Sequence, residues 1–285
     1  MTAHYRRRQL KNRLAVALST VCAAGGVFFL FWILNDLTFE GLRHLDFSVL
    51  TIDTPGPDDP GGGLRNAIVG SLLVTFWCMV IAIPIGILAG TWLSEYGRDS
   101  RLAELIRFVN HILLSAPSII VGVFIYQLMV DPKGFISLDR FSGWAGAAAL
   151  ALIAIPKIVV STENILRLVP STTREAAFAL GAPKHRVIVD VAYRAATSGI
   201  CTGLLLALAQ VTGETAPLLF TALGNQFLNL NMSQPIATLP PTIYSFALSP
   251  YERWKELAWA GSFLIALFIL TLNIFVRTTF RTIRR

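Results

Sequence analysis

The sequence predicts an all-α integral membrane protein with six transmembrane helices and both termini in the cytoplasm, and three observations carry that prediction. Of its 285 residues 54% are apolar and only 14% charged, where soluble domains carry about 25% charged, and the mean hydropathy is +0.61. There are too few charges to coat a globule of this size, which excludes a soluble enzyme. Second, apolar runs of about the 20 residues that cross a bilayer recur six times. Third, lysine and arginine fall unevenly between alternate loops. One set holds Arg6, Arg7, Arg8, Lys11, Arg13, Arg98, Arg101, Arg107, Lys157, Arg167, Arg174, Lys184, Arg186, Arg194, Arg277, Arg281, Arg284 and Arg285, the other Arg43, Arg65, Lys133, Arg140, Arg253 and Lys255, a split of eighteen to six. The positive-inside rule puts the richer set in the cytoplasm. The net charge of +7 and pI near 9.7 therefore reflect membrane orientation, and no continuous basic face for nucleic acid is present.

Taken in order, residues 1–13 are a basic cytoplasmic N-terminus. The run 14–34 is a first helix, because it continues for about 20 residues without a small-residue cleavage site. Residues 35–65 combine Asp36, Glu40, Asp46, Asp53, Asp58 and Asp59 with Pro55-Gly56-Pro57 and Gly61-Gly62-Gly63, which predicts a flexible, irregular external cap. The first helix and this acidic loop together make up residues 14–66. The transmembrane domain then covers 67–276, with spans at 67–93, 108–130, 144–160, 199–223 and 258–276. Pro84, Pro117, Pro156 and Pro217 fall inside four of these runs and predict kinks that neighbouring helices satisfy. Residues 225–257, rich in proline and aromatics, read as a re-entrant or interfacial segment with ring anchors. A basic cytoplasmic tail, 277–285, closes the chain. Cys22, Cys78 and Cys201 each stand inside apolar stretches without pairing or metal-ligand spacing, so they read as small lipid-facing or core residues. His111 and His185 have no metal-like companions, and no cofactor is indicated.

The stretch 161–198 is longer than a turn between two helices requires. Thr172 and Glu175 have capping-box spacing, which predicts a helix starting there. Glu175 to Leu180 continue it, Gly181 supplies a left-handed end and Pro183 prevents continuation. After that bend a second helical segment, 184–194, places Val187, Ile188 and Val191 on one face.

Glu175-Ala176-Ala177, three residues, Gly181, nine residues and Val191 resemble the EAA loop of ABC importer membrane subunits, written EAA-x3-G-x9-I-x-L-P. The second half departs, with Val191 for Ile, Tyr193 for Leu and Arg194 for Pro. The resemblance implies a type I ABC importer permease in which this loop docks into a groove of an ATPase subunit. Thr172, Glu175, Ala176, Ala177, Phe178 and Gly181 would then couple to the ATPase. Small side chains at Ala176, Ala177 and Ala179 permit close approach, and Phe178 and Leu180 offer apolar anchors. The Glu175 carboxylate suits a positive helix N-terminus.

Four further stretches resemble the PstA type of bacterial phosphate importer permease: Gly62 to Leu73, Glu95-Tyr96-Gly97, Ala116 to Gly122, and Gly213 to Leu223. This resemblance implies phosphate as cargo and a multi-pass place in the bacterial inner membrane. It implies as partners a second permease of the PstC type, two ATP-binding subunits of the PstB type and an extracytoplasmic phosphate-binding protein of the PstS type. The chain has no Gly-x4-Gly-Lys-Ser/Thr run for nucleotide phosphates, so ATP hydrolysis belongs to a partner.

Glu214 stands about 22 Å into the fifth span at 1.5 Å per residue, where a carboxylate is expensive unless it faces protein or water. Three accommodations are open: a cation on a partner subunit, a hydrogen bond to a helix broken near Gly213 and Pro217, or protonation. Permeases of this type often carry an arginine one turn before this glutamate, and this chain has Gln210. No other lysine or arginine reads as lying deep in a span. The pathway is therefore expected to be lined by neutral donors, Asn66, Ser71, Thr75, Ser115, Ser118 and Thr215, with Glu214, Thr215 and Pro217 at the pathway or a subunit boundary. For any one hydroxyl, bonding back to its own helix is the plainer alternative.

An ABC permease for another small solute or oxyanion, such as sulfate or phosphonate, shares the loop. An ion-coupled secondary transporter would need no such loop. An intramembrane enzyme would need paired catalytic groups, and Glu214 stands alone.

Overall fold

The computed structural model describes residues 3–57, 59, 61–97 and 100–282. Arg98, Arg284 and Arg285 of the basic set and Asp58 of the external loop lie outside these. Every regular element among the described residues is helical. Five helices are long and apolar enough to cross a membrane, and a sixth crossing is reached where the bent pair Arg101–Ser115 and Ser118–Val130 counts as one span.

Helix α1 (Ala3–Arg43) is 41 residues long, outrunning the apolar stretch 14–34 at both ends. Leu14, Val21, Phe28 and Phe31 on its sides are all exposed, and it meets the rest of the chain along α12 (Glu252–Thr282). Between α1 and α3 (Arg65–Glu95) lies α2 (Phe47–Thr51), capped by the Asp46 carboxylate accepting from the Phe47 amide. The expectation of a wholly flexible cap over 35–65 is corrected here: residues 35–43 continue α1, and Val49 and Leu64 are fully buried. Apolar side chains placed between acidic residues drive that packing, and the proline and glycine content only shapes the turns.

Helix α3 passes through Pro84 without ending. The third span is broken. α4 (Arg101–Ser115) stops at Ala116-Pro117, and α5 (Ser118–Ile125), followed by a π-helical turn at Tyr126–Val130, leaves at 103° to it. Proline restricts the residue before it to extended backbone, and Ala116 has ψ 132°.

Helix α6 (Gly143–Arg167) absorbs Pro156 in its interior, and the buried Asn110 amide donates to the Pro156 carbonyl at 3.1 Å. α6 runs seven residues past the apolar stretch 144–160. Lys157 is therefore inside the helix, a correction to its place among the loop cations. Without it the basic split is still seventeen to six.

After α7 (Ser171–Ala179) the chain turns at Gly181 and enters one long helical run: α8 (Lys184–Arg186), a π-helical stretch Val187–Tyr193, and α9 (Arg194–Thr212). The expected separate segment 184–194 is thus the start of the fifth span. That span ends early, at Thr212, and resumes as the short α10 (Ala216–Thr221). α11 (Leu239–Ala247) precedes α12, and the segment before it tucks against α3, with Ile236 and Ala237 buried and the Leu239 amide donating to Ser71 Oγ at 2.6 Å. Phe246 and Trp254 stack at 4.5 Å.

The core lies between α3, α6, α9 and α10, around Val74, Cys78, Leu150, Ile158, Val211 and Leu218. Cys78 is fully buried there, whereas Cys22 is exposed. Ala82, Gly86 and Gly90, one turn apart, let α3 and α6 approach closely: a Cβ on Gly86 would lie 2.5 Å from Ile158, and one on Gly90 2.7 Å from the Val159 carbonyl. Small residues at one-turn spacing are how helices close up in lipid, where dispersion and packing replace the hydrophobic drive.

Candidate functional site

The basic end of the bundle is organised around α7. Its sequence makes it helical through alanine and glutamate, but its start differs from the capping-box expectation. Pro170 precedes the first helical residue, Ser171, without any side-chain cap. Thr172 is already inside the first turn and exposed, and Glu175 stands fifth, beyond the reach of the helix N-terminus. Beginning two residues earlier, with Pro170 and not Thr172 at the cap position, removes the geometry a capping box needs.

The far end follows expectation. Gly181 has φ +80°, with its amide donating to the Phe178 carbonyl at 2.9 Å and the Ala182 amide to the Ala177 carbonyl at 3.2 Å. This is the Schellman arrangement that a glycine after the last turn permits. Pro183 then caps α8.

One face of α7 is tied down and the other is bare. Arg174, whose side chain is 12% exposed, sends Nη2 to Glu95 Oε1 at 2.6 Å. It also donates to the Leu166 carbonyl at 2.8 Å and the Val169 carbonyl at 2.6 Å. One guanidinium fork thus joins α7 to the end of α3 and to carbonyls at and just past the end of α6. Two more contacts reach the same end of α3: Lys184 Nζ lies 4.1 Å above the Tyr96 ring, and Tyr193 Oη is 2.7 Å from Thr91 Oγ1. On the outward side Glu175 has no hydrogen-bond or ion-pair partner among the described residues. Ala176 is exposed there, Ala177 is half-buried, and Phe178 and Leu180 are 45% and 89% exposed. Sequence reasoning missed Arg174, because nothing local marks an arginine that reaches another helix.

Nearby, Glu163 is buried, accepts from Arg107 at 2.8 Å and forms an ion pair with Arg167 at 2.7 Å. This pins α4 to α6 at the same end.

The expected intramembrane donors do not form one cluster. Asn66 is buried with its amide engaged: Oδ1 accepts from the Thr54 amide at 3.1 Å, and Nδ2 donates to the Asn225 carbonyl at 2.7 Å. Ser71 and Thr75, with Thr212, line a cavity of about 440 Å³ whose other walls, among them Leu72, Phe76, Leu264 and Phe268, are apolar. Ser115 donates back to Ile112, and Ser118 opens α5 half-buried. Thr215 stands half-buried in the break before α10. Pro217 is buried against α5, since a Cβ on Gly122 would lie 2.6 Å from its Cα. The helices beyond the two breaks are thereby packed together.

Glu214 lies in that break and not within a continuous helix. It is half-buried, its amide donates to the Val211 carbonyl at 3.3 Å, and its carboxylate has no partner among the described residues. One turn earlier Gln210 is exposed and accepts a hydrogen bond from Lys157 Nζ. This cation from the neighbouring helix overturns the reading that no lysine lies deep in a span. The signal was present: Ile158-Val159-Val160 continue the apolar run past Lys157.

The family model described as "binding-protein-dependent transport system inner membrane component" matches residues 82–285. The chain is 51% identical over 273 residues to the phosphate transport system permease protein PstA of Yersinia pestis, covering 96% of this chain and 91% of that one. It is 53% identical over 274 residues to the protein of that name from Haemophilus influenzae, at 96% and 95% coverage. Among solved structures it superposes on a chain of a bacterial alginate ABC transporter with TM-score 0.70 at 13% identity, covering 97% of each. A chain of the MetNI methionine ABC transporter matches with TM-score 0.57 at 19% identity, over 77% of this chain and 94% of that one. These two likenesses establish the fold.

Proposed function

The chain belongs to the binding-protein-dependent transport system inner membrane components, and from that premise we propose that it is the membrane-spanning permease of an ATP-driven importer of inorganic phosphate. The phosphate permeases it resembles at more than half identity, over nearly the whole of each chain, support that cargo. It is a multi-pass protein of the bacterial inner membrane and itself a transport subunit. In this reading ATP is hydrolysed by two PstB-type subunits, a PstC-type permease completes the membrane pair, and a PstS-type binding protein delivers phosphate from outside.

The observation that carries the mechanism is the two-sidedness of α7. Its bare face, with Glu175, Ala176 and Phe178, offers the ATPase small residues for close approach, an apolar anchor and a free carboxylate. Thr172 and Gly181 bound that surface. Its tied face passes displacement through Arg174 to Glu95, and the segment after it through Lys184 to Tyr96. Because Ala82, Gly86 and Gly90 pack α3 tightly on α6, a push on the end of α3 moves the two helices as a body. Closure of the ATPases thus becomes a change in which side of the membrane the pathway faces. Glu214, Thr215 and Pro217, at the break between α9 and α10, are placed where such a motion bends the bundle, with Ser118 at the other break.

Uptake of labelled phosphate by vesicles holding the assembled complex, with sulfate and phosphonate as competitors, tests the cargo. Phosphate should be taken up in an ATP-dependent way that the other anions do not suppress. Preferential uptake of either competitor would reassign it. Glu175→Lys should insert normally yet lose ATPase binding and uptake; normal docking and uptake would remove the coupling role.

A further inference from the structure

Lys157 is placed where a bare cation is hardest to keep. It lies about 21 Å along α6 from Gly143 and about 15 Å from Arg167, at 1.5 Å per residue, which is mid-depth for a hydrocarbon core of about 30 Å. Helices α6 and α9 run antiparallel there: a Cβ on Gly199 would lie 2.6 Å from Ile165 and one on Gly203 would meet Ser161, and beyond that register the long side chain of Lys157 reaches along α9 to Gln210. By that register Arg194 falls level with the basic end of α6. On α3, α4, α6 and α9 the other lysines and arginines lie toward one end of the bundle or the other: Arg101, Arg107, Arg167 and Arg194 at the basic end, Arg65 at the opposite one.

This lysine has no carboxylate within ion-pair distance among the described residues. Its partner is a neutral amide oxygen, and Gln210 is exposed on the surface of the chain. A lysine and a glutamine cannot face lipid at that depth without a large cost, so this face looks onto water or another chain. Lysine carries three N–H donors and glutamine two more. Gln210 Oε1 takes one of the lysine's, and the rest of this donor set has no acceptor among the described residues. Ser161 and Asn164 follow Lys157 at one and two turns along α6 toward its basic end, so the polar stripe continues inward.

We propose that Lys157, oriented by Gln210, is an oxyanion contact midway along the translocation pathway, a site that takes inorganic phosphate in transit. This rests on the importer reading and adds to it the place where cargo is held. A single lysine is a point charge without the bidentate fork of arginine, so the site holds phosphate weakly and lets it leave. That suits a conduit fed by a separate binding protein. Glu214, one turn beyond Gln210, is no phosphate ligand.

The test uses the assembled complex in proteoliposomes. Lys157→Met should lower the maximal rate of phosphate uptake roughly ten- to hundredfold, the scale of losing hydrogen bonds to a charged group, while the complex assembles and docks the loaded binding protein. Lys157→Arg should retain much of the rate. In a background whose three native cysteines are replaced without loss of uptake, Lys157→Cys should react with an anionic thiosulfonate and be protected by phosphate. A cationic aminoethyl reagent at that cysteine should restore uptake. Wild-type rates in Lys157→Met, or a cysteine that stays unreactive in every transport state, would overturn the proposal. Loss of assembly in Lys157→Met would also overturn it and would assign the lysine to a carboxylate on the partner permease. Should the wild-type complex carry another oxyanion in place of phosphate, the cargo reading fails, and the same variants assayed with that anion judge Lys157 separately.

Discussion

Arg174 on α7 and Glu95 at the end of α3 are 79 residues apart in sequence and 2.6 Å apart in space, both nearly buried at 12% and 8% side-chain exposure. Removing one partner of such a pair strands the other charge, which costs about 3 kcal/mol. Arg174→Ala should therefore lower the thermal stability of the basic end and uncouple ATP hydrolysis from uptake by about tenfold. Glu95→Gln, which keeps an acceptor, should be milder. Measuring ATPase activity and uptake on one preparation checks this; tight coupling in Arg174→Ala would refute it.

Gly181 tests backbone against packing. A Cβ there would meet nothing within 4 Å, so any penalty is conformational and arises from φ +80°. Gly181→Val should cost roughly 1–2 kcal/mol and displace the end of α7, with loss of ATPase docking. Gly181→Asn, tolerant of left-handed backbone, should retain most of it. Equal behaviour of the two in a docking assay would show that the turn is dispensable.

Gly199 tests packing against backbone. Its helix is regular, but a Cβ there would fall 2.6 Å from Ile165. Gly199→Leu should push α9 from α6 and destabilise by about 1–3 kcal/mol, shifting Lys157 from Gln210. Pairing it with Ile165→Ala should recover part of the loss, as thermal unfolding in detergent would show.

Asp53 links the outer end of α3 to the segment before α11. Its carboxylate accepts from Arg65 at 2.9 Å and from the Leu228 amide at 3.0 Å. The Arg65 hydrogen bond foremost, with the Leu228 amide, holds its pKa below the ordinary 3.8 against the opposing effect of burial. The stabilisation is fully present above that ordinary value and is lost as pH falls through the lower folded one. Hydrogen exchange at the Leu228 amide should therefore show undiminished protection by this contact from pH 7 to about 5 and weakening only below about 4. Asp53→Asn should show weaker protection throughout, and identical profiles would refute the link.

The sequence by itself determined the class, the spans and the bend after α7, because each is written in contiguous residues. Apolar runs of bilayer length, the unequal spread of arginine and the order Gly181 then Pro183 act through local hydration and backbone sterics. Partnership was decided by the tertiary structure. Whether Pro117 breaks a span while Pro84 and Pro156 do not depends on what packs around each, and the Asn110 amide that holds the Pro156 carbonyl comes from another helix. Thr172 and Glu175 have capping spacing but stand past the helix start, since Pro170 begins the helix earlier. Lys157 stood three residues from the end of the expected span until α6 ran seven residues beyond that end and α9 brought Gln210 alongside. An ion pair between Arg174 and Glu95 depends on distance in space, and chain order carries no record of that distance.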